Sequence, residues 1–271
     1  LGHSYDIESD TLEKIKDLSK KTVISQWFED HLADTGPDFA SNRKKLLKYD
    51  NFVTSNFITT HPSTLDFLRK KKNFHYLPIP VDKNIEKLKI YENNNQINDV
   101  FFSMSHGVNR GKLKRDKQDE RHNFITDLIT ECPNIIFDIY GYNNREPVWA
   151  EDFYKVIVNS KMALNLTRGK PLKYLTSNRI ASLIGNGLLT FIDKRTQLSN
   201  FFNGNEVIFY SGLEDLANKI NFYKSNDKKR INVAKKGRRK YFDLFECQKV
   251  ANYIISKSFN REISKKLKWM D

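Results

Sequence analysis

Cationic, hydroxyl and amide side chains follow one apolar run of this sequence in an order that suits phosphate binding. Residues 161–166 have the apolar pattern of a strand, and a loop follows that carries Arg168, Lys170 and Lys173. The next helix is predicted to open with a cap at Ser177-Asn178-Arg179 and to end at a Gly185-Asn186-Gly187 turn, before a second apolar strand. The first N–H groups of a helix have no partner within it and, with the helix dipole, they attract anions. This order therefore predicts a phosphate site, with an ordinary surface loop as the alternative.

A second loop of suitable composition, Ser103–Lys114, follows the strand predicted at Val100–Met104. Ser105 and two glycines give its backbone freedom, and its cations are Arg110, Lys112 and Lys114. The glycine spacing is neither that of a dinucleotide-binding fingerprint nor that of a P-loop. We expect Ser105 and Arg110 to be able to reach a ligand, but a mobile surface loop explains the same residues equally well.

Two further strand ends carry side chains that could contact a ligand. The turn Tyr140–Asn144 places Tyr142 where its ring could stack on a nucleobase or cover the edge of the sheet. Asn165 closes the strand before the basic loop. Ligands of open α/β sheets bind beyond the carboxyl ends of the strands, which is where these residues lie. The later Phe202–Asn205 segment is interpreted as a plain turn.

Short apolar runs alternate with helical patterns along the whole chain, as is typical of parallel α/β sheets. Helices are predicted at Thr11–Lys20, Arg43–Lys48, Ser63–Lys71, Glu120–Glu131, Glu151–Ser160, from Ser177, from a Ser211–Glu214 capping box to Tyr223, and at Asp227–Leu244 and Gln248–Ser258. Other strands are predicted at Thr22–Gln26, Asn51–Ser55, Phe74–Ile79, Ile135–Tyr140, Met162–Leu166 and Glu206–Tyr210. The polar stretch Asp82–Asn98 suggests a boundary. We therefore expect two α/β units, 1–90 and 98–258, with a tail at 259–271.

The composition limits the classes of protein that this chain can represent. The 271 residues include no run near the roughly 20 apolar residues of a membrane span. The two cysteines, Cys132 and Cys247, form no disulfide framework and no paired metal-ligand spacing, which fits a reducing cytoplasm. The first residue is Leu1 and no signal peptide follows, so an N-terminal portion is expected to be missing. These features predict a cytoplasmic protein that is soluble or peripheral at the inner membrane face.

The formal net charge of +13 suggests an anionic partner. Most of the excess is explained by scattered surface lysines in a chain rich in Lys and Asn. The exception is a cluster of cations on one predicted helix: Lys228, Lys229, Arg230, Lys235, Lys236, Arg238, Arg239 and Lys240. Such a helix could lie on an anionic membrane, or it could dock on the protein with a solvated basic face.

The order of several short motifs resembles a known family, over about Asp99 to Ile255. The matching elements are Tyr154, Ser160-Lys161, Ala163-Leu164-Asn165, Thr167-Arg168, Arg179, Gly185 to Gly187, Phe201–Glu206, and Leu213 with Leu216. The pattern is similar to the C-terminal half of GT-B-fold glycosyltransferases of the glycosyltransferase group 1 superfamily, nearest the CgeB-like branch. Residues 1–80 are compatible with the later part of the N-terminal domain of such a protein, which would be incomplete here.

This resemblance implies two Rossmann-like domains of GT-B type, an acceptor-side domain and a C-terminal domain that holds a nucleotide-sugar donor. It implies that Arg168, Lys173 and Arg179 stabilise the departing diphosphate without a metal, and that no cofactor is needed. The groups implied to contact the donor are Arg110, Asn165, Ser177 and Asn178. Ser105 and Tyr142 are further candidate contacts because of their positions at strand ends. The implied acceptor is a glycan or a lipid-linked glycan. One departure is Ser182, where many group 1 enzymes carry a glutamate that contacts the donor, so the nucleotide stays open.

The catalytic base and the reaction itself have alternatives. Candidate bases are His3, Asp30, His31 and His61, although a retaining mechanism needs no protein base, and turn or capping roles suit each of them. A non-catalytic domain that binds carbohydrate or nucleotide is the main alternative to an enzyme, since Ser182 departs from the pattern and the first unit is short. A nucleic-acid-binding protein is a third hypothesis, but no helix-turn-helix, RNP or zinc pattern supports it, and we expect no nucleic-acid partner.

Overall fold

The computed structural model describes residues 1–2, 7–34, 36, 38–105, 120–263 and 266–270. The α-helices among them are α1 Ser9–Leu18, α2 Phe39–Lys48, α3 Glu120–Glu131, α4 Ala150–Ile157, α5 Arg179–Gly185, α6 Leu213–Ser225, α7 Asp227–Phe245 and α8 Cys247–Ser258. The strands are β1 Ser25–Phe28, β2 Ser55–Ile58, β3 Phe74–Tyr76, β4 Asn98–Ser103, β5 Phe137–Tyr140, β6 Ser160–Asn165, β7 Leu189–Asp193 and β8 Ile208–Tyr210. The alternation of helices and strands expected from the sequence is confirmed.

The chain divides into two compact units. Unit 1 comprises Leu1–Pro80, Gly169–Leu175 and Leu244–Asp271, and unit 2 comprises Val81–Arg168 and Thr176–Asp243. The Asn-rich stretch that suggested a boundary lies in unit 2, where Glu86, Ile90 and Tyr91 are buried. Helix α8 and the residues after it lie in unit 1, because α8 packs on β2.

Unit 2 is a parallel five-stranded sheet with the order β5-β4-β6-β7-β8. The chain runs from β4 outwards to β5 and then returns to the other side of β4 with β6. Strand order therefore reverses between β4 and β6, and a crevice beyond their carboxyl ends is the expected ligand position in such sheets.

Helices cover both faces of this sheet, so its central strands are almost continuously apolar. Phe102 belongs to a buried cluster with Ile125 of α3 and Leu216 of α6. Its neighbour Phe101 faces the opposite side and belongs to a second cluster with Phe153 of α4. Successive strand residues point to opposite faces, so a sheet covered on both sides needs no alternation of polar and apolar residues.

Unit 1 contains a parallel three-stranded sheet with the order β1-β2-β3. Two of its predicted strands, Thr22–Gln26 and Asn51–Ser55, were placed too early by three to four residues. After α2 the chain first makes a turn, in which the Val53 N–H donates to the carbonyl of Tyr49, and β2 begins only at Ser55. All four residues of β2 are buried, so no alternation marks its start in the sequence.

Two local predictions were wrong. The helix predicted at Ser63–Lys71 is instead a pair of 3₁₀ turns, Pro62–Thr64 and Asp66–Leu68, separated by an extended Leu65. The 3₁₀ period of three residues still places Leu65 and Leu68 on one buried side. The capping box at Ser211–Glu214 does not form, because the Asp215 carboxylate accepts the Ser211 N–H, at 2.8 Å, and Gly212 occupies the cap with φ +87°.

Candidate functional site

A pocket of about 300 Å³ opens in unit 2 beyond the carboxyl end of β4. It lies at the point where strand order reverses, and we call it the strand-end pocket. Its walls come from the end of β4, the start of α4 and the start of α5: Ser103, Met104, Ser105, Val148, Trp149, Ala150, Phe153, Tyr154, Asn178, Arg179 and Ser182. Aromatic and aliphatic walls with a few polar groups are typical of small-molecule sites.

Arg179 supplies the positive charge of this pocket and is held by contacts with β4 and with the residue that follows β6. Its Nη2 donates to the carbonyl of Leu166, directly after β6, at 2.7 Å. Its guanidinium carbon lies 5.2 Å from the ring centroid of Phe102 in β4. A guanidinium in this position is fixed by a hydrogen bond and a cation–π contact. Arg179 can thus present positive charge at the pocket without moving.

The start of α5 also contributes Asn178, which lines the pocket and is exposed. Ser177, one residue earlier, accepts the Arg179 N–H on its hydroxyl at 3.4 Å. Ser177 therefore orders the backbone that precedes the helix, while Asn178 makes no capping bond with its side chain. Of the two residues, Asn178 is the one that the structure places in the pocket wall.

Tyr154, Glu86 and Ser182 form a polar network at the side of the pocket. The Tyr154 hydroxyl donates to Glu86 Oε1 at 3.3 Å and lies 3.2 Å from the Ser182 hydroxyl oxygen. The second oxygen of Glu86 accepts the Asp82 N–H at 2.9 Å. Glu86 is buried, and burial raises the pKa of its carboxyl. Burial likewise raises the pKa of the Tyr154 hydroxyl, so it stays a donor at neutral pH.

The Glu86 side chain packs closely against the backbone of α5 at Gly185. A Cβ at Gly185 of α5 would lie 2.7 Å from Glu86 Cγ and 2.8 Å from Val81 Cγ2. Arg238 of α7 donates to the carbonyls of Gly185, at 2.8 Å, and Glu86, at 3.0 Å. Sequence reasoning missed Glu86 because it lies in the Asn-rich stretch, where no pattern separates a buried carboxylate from a solvated one.

Asn165 and Arg168 lie at the carboxyl end of β6. Asn165 is 4% exposed, and its side-chain oxygen has no hydrogen-bond partner among the residues that the structure describes. Arg168 is half-buried and is the last residue of unit 2 before the chain enters unit 1. Neither residue lines the strand-end pocket, although both belong to the same edge of the sheet.

Three other predicted site residues are placed differently. Tyr142 packs against α3, with its ring 4.7 Å from that of His122 and its hydroxyl 3.0 Å from Thr126 Oγ1. Lys173 belongs to unit 1, where its carbonyl accepts the His61 N–H at 3.1 Å. Arg110 falls outside the described residues.

The candidate bases lie in unit 1, apart from His3, which also falls outside the described residues. His31 follows β1, and its Nε2 lies 3.2 Å from the carbonyl of Lys170. His61 follows β2, is 4% exposed, and lies with its Nδ1 2.7 Å from the Ser63 hydroxyl. These contacts suit the turn and capping roles considered for both. Asp30 is half-buried after β1.

The described part of the chain lacks two features that would change the interpretation of the site. No group of three or more His, Cys, Asp or Glu side chains is arranged to hold a metal ion. No helix combines the length and the apolar character that crossing a membrane requires.

Solved structures that align with this chain include glycosyltransferases of the GT-B type. The crystal structure of HepE from Anabaena in complex with UDP-glucose aligns with a TM-score of 0.62 at 14% identity, over 92% of this chain and 77% of that chain. TarM of S. aureus aligns with a TM-score of 0.59 at 12% identity, over 92% of this chain and 53% of that chain. Sucrose-phosphate synthase from Thermosynechococcus elongatus aligns with a TM-score of 0.56 at 10% identity, over 92% and 71%. The two α/β units therefore define a GT-B-type protein.

Residues 117–256, just over half of the chain, match the sequence profile of the Glycosyl transferase-like family. The chain belongs to this family. A search of curated proteins found no significant match.

Proposed function

We propose that this protein is a glycosyltransferase that uses a nucleoside-diphosphate sugar, bound by unit 2 in the strand-end pocket. The observation that carries the proposal is Arg179, a cation fixed by both central strands at the reversal of strand order. The structural neighbour HepE is described in complex with UDP and with UDP-glucose, which makes UDP the first nucleotide to test. A hexose as the transferred sugar and the CgeB-like branch are part of the same proposal.

In this proposal the protein stabilises the leaving diphosphate with its own cations. Negative charge develops on the diphosphate as the sugar departs, and fixed positive groups stabilise that charge. Arg179 fills this role in unit 2. Arg168, in the loop that follows β6, is a second candidate for it. Lys173 and Arg110 remain candidates for the same role from the sequence. Cations of this kind perform the task without a metal ion or another cofactor.

The Tyr154 network would contact the hydroxyl groups of the donor. Ser182 stands where the resemblance leads one to expect a glutamate, and the Glu86 carboxylate reaches the same Tyr154 hydroxyl from another part of the chain. Hydroxyl and carboxylate groups in one wall can donate to and accept from a diol. If this network does not take the place of the missing glutamate, the alternative is a non-catalytic domain that binds nucleotide or carbohydrate.

Binding of UDP, followed by calorimetry and by the rise in melting temperature, tests the proposal. A ligand that binds only the folded protein raises its melting temperature by mass action. Arg179→Ala should weaken UDP binding by roughly tenfold or more, since a charge-assisted hydrogen bond is worth about 1.5–3 kcal/mol. Arg239→Ala, which removes an exposed arginine of α7, is the control. Equal affinity of the Arg179→Ala protein and the wild type for UDP and GDP would refute the assigned pocket.

The acceptor in this proposal is a glycan or a lipid-linked glycan, and α7 provides a surface for peripheral contact with an anionic membrane. Five cations are exposed on one face of α7: Lys228 and Lys229, Lys235 and Lys236 one heptad later, and Arg239 at the next turn. Phe222, 44% exposed, lies beside them with its ring centroid 4.9 Å from Lys229 Nζ. Basic groups beside an exposed aromatic ring suit the headgroup region of anionic bilayers. Such contact would hold the enzyme at the inner membrane face.

Sedimentation with vesicles of phosphatidylglycerol and phosphatidylcholine tests this contact. Replacing the four exposed lysines of α7, Lys228, Lys229, Lys235 and Lys236, with glutamine should abolish binding to the anionic vesicles at low salt. The control changes four exposed lysines elsewhere, Lys14, Lys20, Lys21 and Lys70, to glutamine and so alters the net charge equally. If both quadruple variants lose vesicle binding equally, binding depends on net charge alone and α7 is not the contact surface. Preferential binding of duplex DNA by α7 would support the nucleic-acid alternative instead.

A further inference from the structure

Unit 1 contains a second cavity, of about 250 Å³, lined by β3, α8, the turn that follows β2, and Trp269 with Met270. Among the strands that the structure describes, β3 pairs with β2 alone and is therefore an edge strand. Tyr253 and Lys257 of α8 and Trp269 line the cavity together with the residues of β3. Its volume is below the roughly 300–1,000 Å³ of sites for drug-sized ligands, so it suits a ligand with a single ring.

The outer edge of β3, a strand that lines this cavity, carries backbone hydrogen-bonding groups. The Asn73 carbonyl accepts an N–H group of β2, and the Leu77 N–H donates to a carbonyl of β2. Alternate residues of a parallel strand bond to the same neighbour, so Asn73, His75 and Leu77 face β2. The N–H and C=O groups of Phe74 and Tyr76 consequently face the outer edge, and both residues line the cavity.

Aromatic rings form much of the remaining wall. The ring of Tyr253 lies 6.3 Å from that of Trp269 and 6.5 Å from that of His75. Aromatic faces provide apolar contact for the C–H faces of a sugar ring, while edge amides and carbonyls can bond its hydroxyl groups. The combination of the two suits a carbohydrate.

The charge of the side chains that line the cavity restricts the charge of the ligand. Among the described lining residues Lys257 is the one lysine or arginine, and none carries a carboxylate. Burial, with the nearby Lys257 ammonium, lowers the pKa of His75 to about 4, so His75 is neutral at pH 7. A single lysine charge matches a monoanion such as a carboxylate better than a phosphate dianion.

We propose that this cavity binds one carboxylated sugar residue, with Lys257 on the carboxylate, the outer edge of β3 on the hydroxyl groups and the aromatic wall against the ring. Only one part of this proposal rests on the proposed function, namely that the bound sugar belongs to the glycan acceptor. Binding can be measured without any nucleotide, so failure of this proposal is distinguishable from failure of UDP to bind unit 2.

Ligand-observed saturation-transfer NMR with methyl β-glucuronoside, methyl β-glucoside and glucose 6-phosphate tests the proposal. The glucuronoside should bind saturably and about tenfold more tightly than the neutral glucoside, as expected for one charge-assisted hydrogen bond. Lys257→Gln should remove that tenfold preference. Lys268→Gln, which changes an exposed lysine next to Trp269 that does not line the cavity, should retain it.

A second variant keeps the test decisive if Lys257→Gln fails to fold. Met270→Glu places a like charge in the half-buried wall of the cavity and should likewise remove the preference for the glucuronoside. The proposal is overturned if the wild type shows no saturable binding, if it binds the two glycosides equally, or if both variants bind as the wild type does. Tighter binding of glucose 6-phosphate than of the glucuronoside would overturn the carboxylate assignment.

Discussion

The hydroxyl of Tyr154 donates to a carboxylate oxygen of Glu86 at 3.3 Å, although 68 residues separate them in the chain. Tyr154 lines the strand-end pocket, whereas Glu86 lies behind it and is 5% exposed. The buried carboxylate therefore orients the hydroxyl of a residue that lines the pocket.

Removal of the Tyr154 hydroxyl should weaken donor binding more than it weakens the fold. Tyr154→Phe keeps the ring and leaves Glu86 and Ser182 without a shared partner, so we expect UDP-glucose affinity to fall roughly fivefold to tenfold, for a loss of about 1 kcal/mol. Titration calorimetry measures the change. Tyr142→Phe removes a hydroxyl that bonds to Thr126 outside the pocket and should leave the affinity unchanged. Equal losses in both variants would exclude a specific role for Tyr154.

Replacement of Glu86 should change how stability depends on pH. Because burial raises the pKa of Glu86 in the folded state, the folded protein binds its proton more tightly than the unfolded chain does. Its stabilising contribution is present below the unfolded pKa of about 4.3 and is lost as the pH rises through the folded pKa. Urea denaturation from pH 4 to pH 7 should therefore show wild type losing stability relative to Glu86→Gln. If the difference in free energy of unfolding between the two proteins is the same at pH 4 and pH 7, the pKa of Glu86 is not raised.

Gly185 should not tolerate a side chain while Glu86 is present. Alanine favours a helix over glycine by about 1 kcal/mol, but its Cβ would lie 2.7 Å from Glu86 Cγ and overpacking costs about 1–3 kcal/mol. We expect Gly185→Ala to destabilise the protein by about 1 kcal/mol in chemical denaturation. The double variant with Glu86→Ala should recover part of this loss. Gly204→Ala, where no atom lies within 4 Å of the new Cβ, is the control and should be neutral.

Asp99 should make the stability of unit 2 sensitive to acid. Burial alone would raise its pKa, but the Ile136 N–H and the ammonium groups of Lys224 and Lys161 together hold the pKa below its ordinary value. The contribution is therefore present above the unfolded pKa of about 3.9 and is lost as the pH falls through the lower folded pKa.

Asp99→Asn tests this charge cluster. The amide would leave two lysines without their carboxylate, so we expect a loss of about 2–3 kcal/mol at pH 7 by urea denaturation. The difference from wild type should shrink below pH 4. Asp152→Asn, at an exposed carboxylate on α4 paired with Lys155, should change the stability much less, because exposed ion pairs contribute little. A loss at Asp99 no larger than that at Asp152 would contradict the role given to the buried cluster.

The sequence predicts the alternation of elements and the position of Arg179 because both follow from local patterns. Apolar runs mark strands that are buried on both faces, and the order of a strand, a loop and a helix start places Arg179 beside β6. It does not predict that Lys173 lies in unit 1 or that Tyr142 packs on α3, because both depend on contacts between segments distant in the chain. Glu86 was missed for the same reason, since its partners Tyr154 and Arg238 follow 68 and 152 residues later.

The division of the chain between the units has a consequence for biosynthesis. The chain passes between them at residues 80–81, 168–169, 175–176 and 243–244. Strand β2 receives its cover from α8, with Tyr253 against Phe57 and the Lys257 carbonyl accepting the Ser55 hydroxyl. The sheet of unit 1 therefore lacks part of its core until α8 has left the ribosome. Unit 2 can complete its sheet earlier, so the order of folding reverses the order of synthesis.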